Sequence, residues 1–326
     1  MAPQESILLT IRTMRKLLIP LFIVGLLPAQ EHRARSVEVK VLSTMLADSN
    51  GGIGEWGFSA LVIVDGHRIL FDTGAGPDTV IRNARALKVD LTDVPDVILS
   101  HNHADHTGGL VALREDVRSK NPTALSRAHV GQGIFLKRET PWMETVRRGY
   151  DATGGRFIVY DSSKELFPGV WLTGPVARVY PERNFTIGPR VGTIETADGS
   201  KQEDTIPEDM SLVIDTDRGL VVITGCGHAG IINTLEYARK KVRNAPIHAA
   251  VGGFHLFQLD DEKLKWTGTK LREFGLQNFL GAHCTGIEAT YRIRELVGLS
   301  RDTAAVGAVG AEFRLGRGLS PGSIAK

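Results

Sequence analysis

Beyond residue 36 the apolar positions fall into short β-branched runs at 37–42, 59–64, 67–71 and 94–100, each bounded by polar or glycine-containing segments. Runs of this length and composition predict strands. Asp65-Gly66 separates the second run from the third, and this dipeptide closes hairpins because both residues tolerate positive φ. Apolar residues at helical spacing over 77–87, and again from Gly108 to Leu113, predict a helix on each side of the run at 94–100. Strands are predicted again at 170–172, 211–215 and 220–224. A helix at 231–242, a strand at 247–251, a helix at 260–274 and a strand at 278–280 then lead to His283. The stretch 114–167 is less regular and reads as a helical and loop insert, and 316–326 as a flexible tail. Strands followed by helices occur twice. That order predicts an α/β fold, a four-layer αββα sandwich with mixed sheets, in a single domain over 37–315.

Composition narrows the class. The chain has 326 residues, 42% hydrophobic and 23% charged, as an ordinary globular protein does. Its formal net charge is +2, and the first thirty residues alone hold Arg12, Arg15 and Lys16 against Glu5. The remainder is therefore close to neutral, without the clustered cations that displace counterions from nucleic acid, so a nucleic-acid partner is not expected. Those three cations precede an apolar run at 17–27 and then Pro28, Ala29 and Gln30, the layout of a signal peptide over 1–30. The run rises only about 16 Å as a helix, against roughly 30 Å of hydrocarbon, so no stable membrane span is expected after cleavage. Export to a periplasm or beyond is the expectation, with a membrane tether if the segment is retained and Met14 as an alternative start.

The chemistry concentrates where the run at 94–100 ends. His101, His103, Asp105 and His106 lie within six positions. Alternation puts the first two on one side of an extended loop, and the second two can point to a neighbouring position one turn on. Imidazole and carboxylate suit zinc, iron or manganese, and such a cluster can seat one or two divalent ions. One loop cannot complete two coordination shells. His228, between Cys226-Gly227 and Ala229-Gly230, and His283, before Cys284-Thr285-Gly286, are the further ligands expected, with His228 also a candidate base. His255 stands between a ligand and a structural role. Cys226 is read as a thiolate ligand or a small buried hydrophobe. Cys226 and Cys284, the only cysteines, are read as thiols near the metal, with a disulfide as the alternative. Asp72 is either a turn-capping residue or a carboxylate that orients a ligand. Arg178 and Arg183 are candidate contacts for an anionic small-molecule substrate.

In order along the chain stand Trp56-Gly57-Phe58-Ser59, Leu70-Phe71-Asp72-Thr73-Gly74, the His-x-His-x-Asp-His cluster, Thr173-Gly174-Pro175, Gly225-Cys226-Gly227-His228, Gly252-Gly253-Phe254-His255 and His283-Cys284-Thr285-Gly286. This series resembles the metallo-β-lactamase superfamily and, within it, the branch named for dihydropterin-type synthases. The resemblance implies an αββα sandwich with one or two ions in the cleft between its sheets. It implies that Cys226 holds the place of a metal-bridging aspartate, and that Asp209 lies near where the wider family keeps a histidine ligand, leaving that role to His228. Three functions are weighed. The first is a hydrolase using metal-activated water on a phosphoester, ester or lactone, with Asp105, His228 and Asp72 as catalytic residues. The second is a synthase of pterin metabolism, and the third a non-catalytic metal-binding or redox protein.

Overall fold

The first sheet runs edge to edge through Gly318–Ser320, Glu312–Arg314, Val37–Ser43, Ser59–Val64, His67–Phe71, Asp96–Leu99, Arg127–Gly131 and Arg156–Tyr160. The second runs through Ala304–Val306, Asn278–Gly281, Ile247–Gly252, Gly219–Thr224, Leu212–Thr216, Val170–Leu172 and Lys164–Phe167. These assignments come from a computed structural model that describes residues 32–49, 51–184, 192–196 and 198–325. The segment 1–30 read as a signal peptide lies outside the described residues. None of the described helices is long and apolar enough to cross a membrane.

Alternation along the strands divides the apolar side chains among three cores. Val37, Val39 and Val41 face a core shared with Val221, Ile223, Ala249 and Val251, which therefore lies between the sheets. Leu42, Leu61, Leu70, Val97 and Leu99 turn the other way, onto helices Thr79–Ala86, Leu110–Arg118 and Trp142–Ala152. Leu220, Val222 and Ala250 turn outward onto Ile231–Lys241, Asp261–Glu273 and Ile287–Val297. Three cores define four layers, and burial of each such side chain contributes roughly 1.5–3 kcal/mol.

Parallel pairing sets the position of the chemistry. His67–Phe71, Asp96–Leu99, Arg127–Gly131 and Arg156–Tyr160 are mutually parallel in sequence order. So are Gly219–Thr224, Ile247–Gly252, Asn278–Gly281 and Ala304–Val306. Within each set all carboxyl ends emerge at one edge, where α/β sheets bind their ligands. Asp72, His101, Cys226, His255 and His283 each follow one of these ends within a few residues.

Two expectations are corrected. The stretch 114–167 is not an insert, because Arg127–Gly131 and Arg156–Tyr160 are strands of the first sheet, with one helix, Trp142–Ala152, between them. Its apolar run is broken at Arg127 and His129, which obscured the strand. Both residues serve Asp96: Arg127 donates to its two oxygens at 2.6 and 2.7 Å, and His129 Nε2 lies 2.7 Å from Oδ1. The segment 316–326 is not simply a flexible tail either. Gly318–Ser320 pairs with Glu312–Arg314 as the edge strand, and Ser323 donates to the Asp48 carboxylate.

Burial raises the pKa of Asp96, but the hydrogen bonds from His129 and Arg127 outweigh it and bring the group down to about 2. A folded-state pKa below the unfolded value gives stability that is present above the unfolded pKa and lost as pH falls through the folded one. Asp96→Asn is expected to cost roughly 2 kcal/mol near neutrality. In urea melts the gap to the parent chain narrows as pH is lowered from about 5 towards about 2; a gap independent of pH would rule this account out.

Candidate metal centre

Asp72 begins the centre. It follows strand His67–Phe71 with φ at 54°, in the left-handed region, and its carboxylate is fully buried. Oδ1 accepts from the Ser100 backbone N–H at 2.7 Å, and Oδ2 accepts from Ser100 Oγ at 2.8 Å. Nδ1 of His106 lies 2.7 Å from the same Oδ2. The three contacts join the ends of two adjacent strands to the short helix Ala104–Thr107 that carries Asp105 and His106. Asp72 therefore orients His106, which is one of the two roles read from the sequence.

Each of three imidazoles has its Nδ1 occupied and its Nε2 turned inward. His106 Nδ1 meets Asp72, His101 Nδ1 meets Ser100 Oγ at 2.9 Å, and His228 Nδ1 meets the Asn184 carbonyl at 2.5 Å. This is the pattern by which outer partners fix the tautomer of metal-binding histidines. Inward, His101 Nε2 and His228 Nε2 face each other at 3.2 Å, and His106 Nε2 lies 3.1 Å from Cys226 Sγ. His283 Nε2 lies 3.2 Å from Asp105 Oδ2, and the ring of His103 sits 4.5 Å from that of His101 and 4.9 Å from that of His228.

The structure thus draws the predicted ligands into two adjoining sets. His101, Cys226 and His228 present ligand atoms to one position, with the His103 ring alongside, and His106, Cys226 and His283 to the next. Asp105 joins His101 and His106 in a close group of its own. Cys226 lies between the two sets. Cys226 and Cys284 are free thiols with their sulfurs 3.1 Å apart, and with His255 they form a further close group.

The electrostatics fit a cation. Burial, helped by neighbouring histidines, holds His101 and His228 well below the ordinary imidazole range and brings His103 to about 4. These rings are neutral, with lone pairs free, as coordination requires. Burial also acts on His106, but the Asp105 and Asp72 carboxylates outweigh it and raise the group to about 9, so this ring gives up a proton when it coordinates. Nδ1 of His283 is buried without a hydrogen-bond partner, and its Nε2 meets the Asp105 carboxylate at 3.2 Å. The lone pairs of His101 and His228 facing each other across 3.2 Å are costly by themselves, and an ion between them would remove the cost. The donor set fits one or two divalent metals.

Other residues hold this edge in place. Arg178, expected to meet substrate, has its half-buried guanidinium on the carbonyls of His228, at 3.1 Å, and Thr205, and so braces the His228 loop. Glu182 accepts from the backbone N–H groups of Ile232 and Asn233 at 3.1 and 2.8 Å, at the start of the helix that follows His228. Asp209 accepts from Ala229 N at 3.0 Å, and burial raises it to about 6. It supports the same loop and joins none of the close ligand groups found among the described residues. Arg183 pairs with Glu203 at 2.6 Å and, with Asn184, His255, Lys263 and Trp266, lines a cavity of about 510 Å³ beside the centre. Ser100, Glu182 and Asn184 escaped the sequence reading, as did the Arg138–Glu208 pair beneath Asn102. Serine, glutamate and a backbone carbonyl carry no distinguishing spacing.

Asp72→Asn places an amide NH2 where Ser100 and His106 both need an acceptor. It is expected to weaken metal binding about 10–100-fold, measured by competition with a chelator, in a chain that still folds. Gly225→Ala is expected to be more severe, because the added methyl runs into Ser100 Oγ and the Asp72 carboxylate. Parental metal affinity in both variants would refute the role given to Asp72.

Residues 55–242 match the Metallo-beta-lactamase superfamily. The 7,8-dihydropterin-6-methyl-4-(beta-D-ribofuranosyl)-aminobenzene-5'-phosphate synthase of Methanocaldococcus jannaschii is 28% identical over 242 residues, covering 72% of this chain and 82% of that protein. Among solved structures, Tm1679, a metal-dependent hydrolase of the beta-lactamase superfamily, aligns with a TM-score of 0.65 at 27% identity, covering 85% of this chain and 98% of its own. The metallo-beta-lactamase fold protein YhfI from Bacillus subtilis shares the fold, with a TM-score of 0.55 at 13% identity over 86% of this chain and 99% of its own. The matched region runs from the Trp56 loop to the helix after His228 and takes in strand ends from both sheets; the chain belongs to the metallo-beta-lactamase superfamily.

Proposed function

We propose that this protein is a metal-dependent hydrolase of a small anionic ester, phosphoester or lactone. The observation that carries the proposal is the pair of adjoining ligand sets, His101 and His228 with His103 alongside, and Asp105, His106 and His283, with Cys226 between them. Zinc suits this mixture of nitrogen, oxygen and sulfur donors, and iron or manganese are the alternatives. When bound, such ions lower the pKa of water towards neutrality and polarise an ester or phosphoryl oxygen. The remaining work falls to side chains. Asp105 is the ligand on the open side, its side chain 20% exposed while those of His106 and His283 are sealed. In this reading its carboxylate orients the attacking water. Asp72 keeps His106 in one tautomer. Arg183, at the cavity rim and paired with Glu203, is the cation this reading assigns to an anionic end of the substrate that reaches the cavity. The homologue named as a hydrolase and the orientation of the histidines support this reading.

A second reading has its own support. The Methanocaldococcus jannaschii relative, aligned over 82% of its length, is named as a pterin-related synthase, and the same centre can activate a group other than water. Export is also part of the proposal, resting on the cation-then-apolar layout of residues 1–30; N-terminal sequencing of the protein from its native compartment tests it.

Elemental analysis of the purified chain, beside turnover of phosphomonoesters, phosphodiesters, lactones, β-lactams and a pterin with an aminobenzene ribose phosphate, separates the readings. About two ions per chain and metal-dependent turnover of one ester class are expected, and His106→Ala is expected to abolish both. Joining of the pterin pair without ester hydrolysis would transfer the assignment to the synthase, and metal without any turnover to a binding or redox role.

A further inference from the structure

The metal centre leaves two large aromatic side chains unexplained. Trp56 is 50% exposed and Phe257 42% exposed. Isolated exposed hydrophobics are ordinary, but these two touch. Their rings meet edge to face, with centroids 5.6 Å apart and planes at 72°. They arrive from opposite halves of the sandwich, Trp56 on the loop before strand Ser59–Val64 and Phe257 on the loop after strand Ile247–Gly252. Each also borders the centre: the Trp56 ring lies 4.8 Å from the ring of His283, and the Phe257 ring 5.2 Å from that of His255.

Both are held where they stand. Beside Trp56, the Glu55 carboxylate accepts from Ser43 Oγ at 2.6 Å, Ala75 N at 3.0 Å and Gly76 N at 2.9 Å. On its other side, Phe58 N donates to the carbonyl of Asp105 at 3.1 Å. Phe257 rests on Gly286, whose φ is 84°, and a side chain there would meet Phe257 Cβ at 2.7 Å. Rigid anchoring of the backbone on both sides means that little freedom remains to be lost when a ligand stacks on the two rings.

We propose that Trp56 and Phe257 form an aromatic clamp for a planar ring carried by the substrate next to its reacting anionic group. The position of the reacting group rests on the hydrolase reading; recognition of the ring does not. The geometry favours a ring over a flexible chain. Trp56 meets His283 and Phe257 at 61° and 72°, so the rings stand as walls at steep angles to one another, and a planar ring can lie against their exposed surface by offset or edge-to-face contact. A ring seated there is one ring-width from His283, so an anionic group attached directly to it, as in an aryl phosphate or aryl ester, reaches the ligand sets, while its far side extends along His255 towards the cavity lined by Asn184, Lys263 and Trp266.

The test is calorimetric binding of two non-hydrolysable dianions, phenylphosphonate and methylphosphonate, to the full zinc-saturated chain. Phenylphosphonate is expected to bind about tenfold more tightly, the value of two good aromatic contacts. Trp56→Ala combined with Phe257→Ala is expected to bring the two ligands within about twofold of each other. Zinc content and methylphosphonate affinity should stay at the parental level. Trp56→Phe, which keeps a ring, is expected to retain most of the preference. The inference is overturned if the parent shows no ring preference, if the preference survives the double substitution, if both ligands weaken equally, if neither ligand binds, or if the substitutions change only the oligomeric state. Ester turnover measured in parallel keeps the two ideas apart. Ring preference without turnover removes the hydrolase and leaves the clamp, whereas turnover indifferent to the ring does the reverse.

Discussion

A sealed carboxylate organises the working edge of this protein. Asp72 is withdrawn from water at the end of one strand, and an unpaired charge there would be prohibitively costly. Its oxygens take the backbone and hydroxyl of Ser100 and the Nδ1 of His106. The first two contacts fix how the chain leaves strand Asp96–Leu99, and with it the direction of His101. The third fixes the tautomer of His106. Thr73, the next residue, continues the tie by donating its backbone N–H and its hydroxyl to the carbonyl of His106, at 2.8 and 2.9 Å.

The same edge is crowded from the other half of the sandwich. Gly225 packs against Ser100 and Asp72, and Gly253 against the carbonyl of Gly225 and the sulfur of Cys284. Side chains at these glycines would separate the strand ends and carry Cys226 away from His106. The loop bearing His228 is held from outside by Arg178, Glu182 and Asn184, a strap that itself contributes no ligand. Precision at the centre therefore rests on residues that never reach it, as is usual where several imidazoles must aim at a common point.

The legible part of the sequence was whatever repeats or clusters. Alternation along 59–64 and 67–71 with the Asp65-Gly66 turn gave the hairpin, and the apolar run at 94–100 gave the strand that delivers His101. The His-x-His-x-Asp-His spacing singled out residues that the fold draws together. What was not legible had been masked by tertiary partners. Arg127–Gly131 carries an arginine and a histidine whose burial makes sense only beside Asp96. Gly318–Ser320 is glycine-rich and reads as a tail until Glu312–Arg314 is found alongside it. The bracing contacts of Arg178 were not legible either, because a lone arginine in a sequence shows its charge and not the carbonyls it will hold.

The ligand atoms come from two separate sheets. His101, His103, Asp105 and His106 belong to the amino-terminal half, and Cys226, His228 and His283 to the carboxyl-terminal half. An ion held by both sets would be a cross-link across the inter-sheet core. The first half alone supplies His101, Asp105 and His106 without the cysteine and histidines that face them from the second sheet. Binding of an ion by donors from both halves would therefore favour their closure, because such an ion stabilises only the folded pairing.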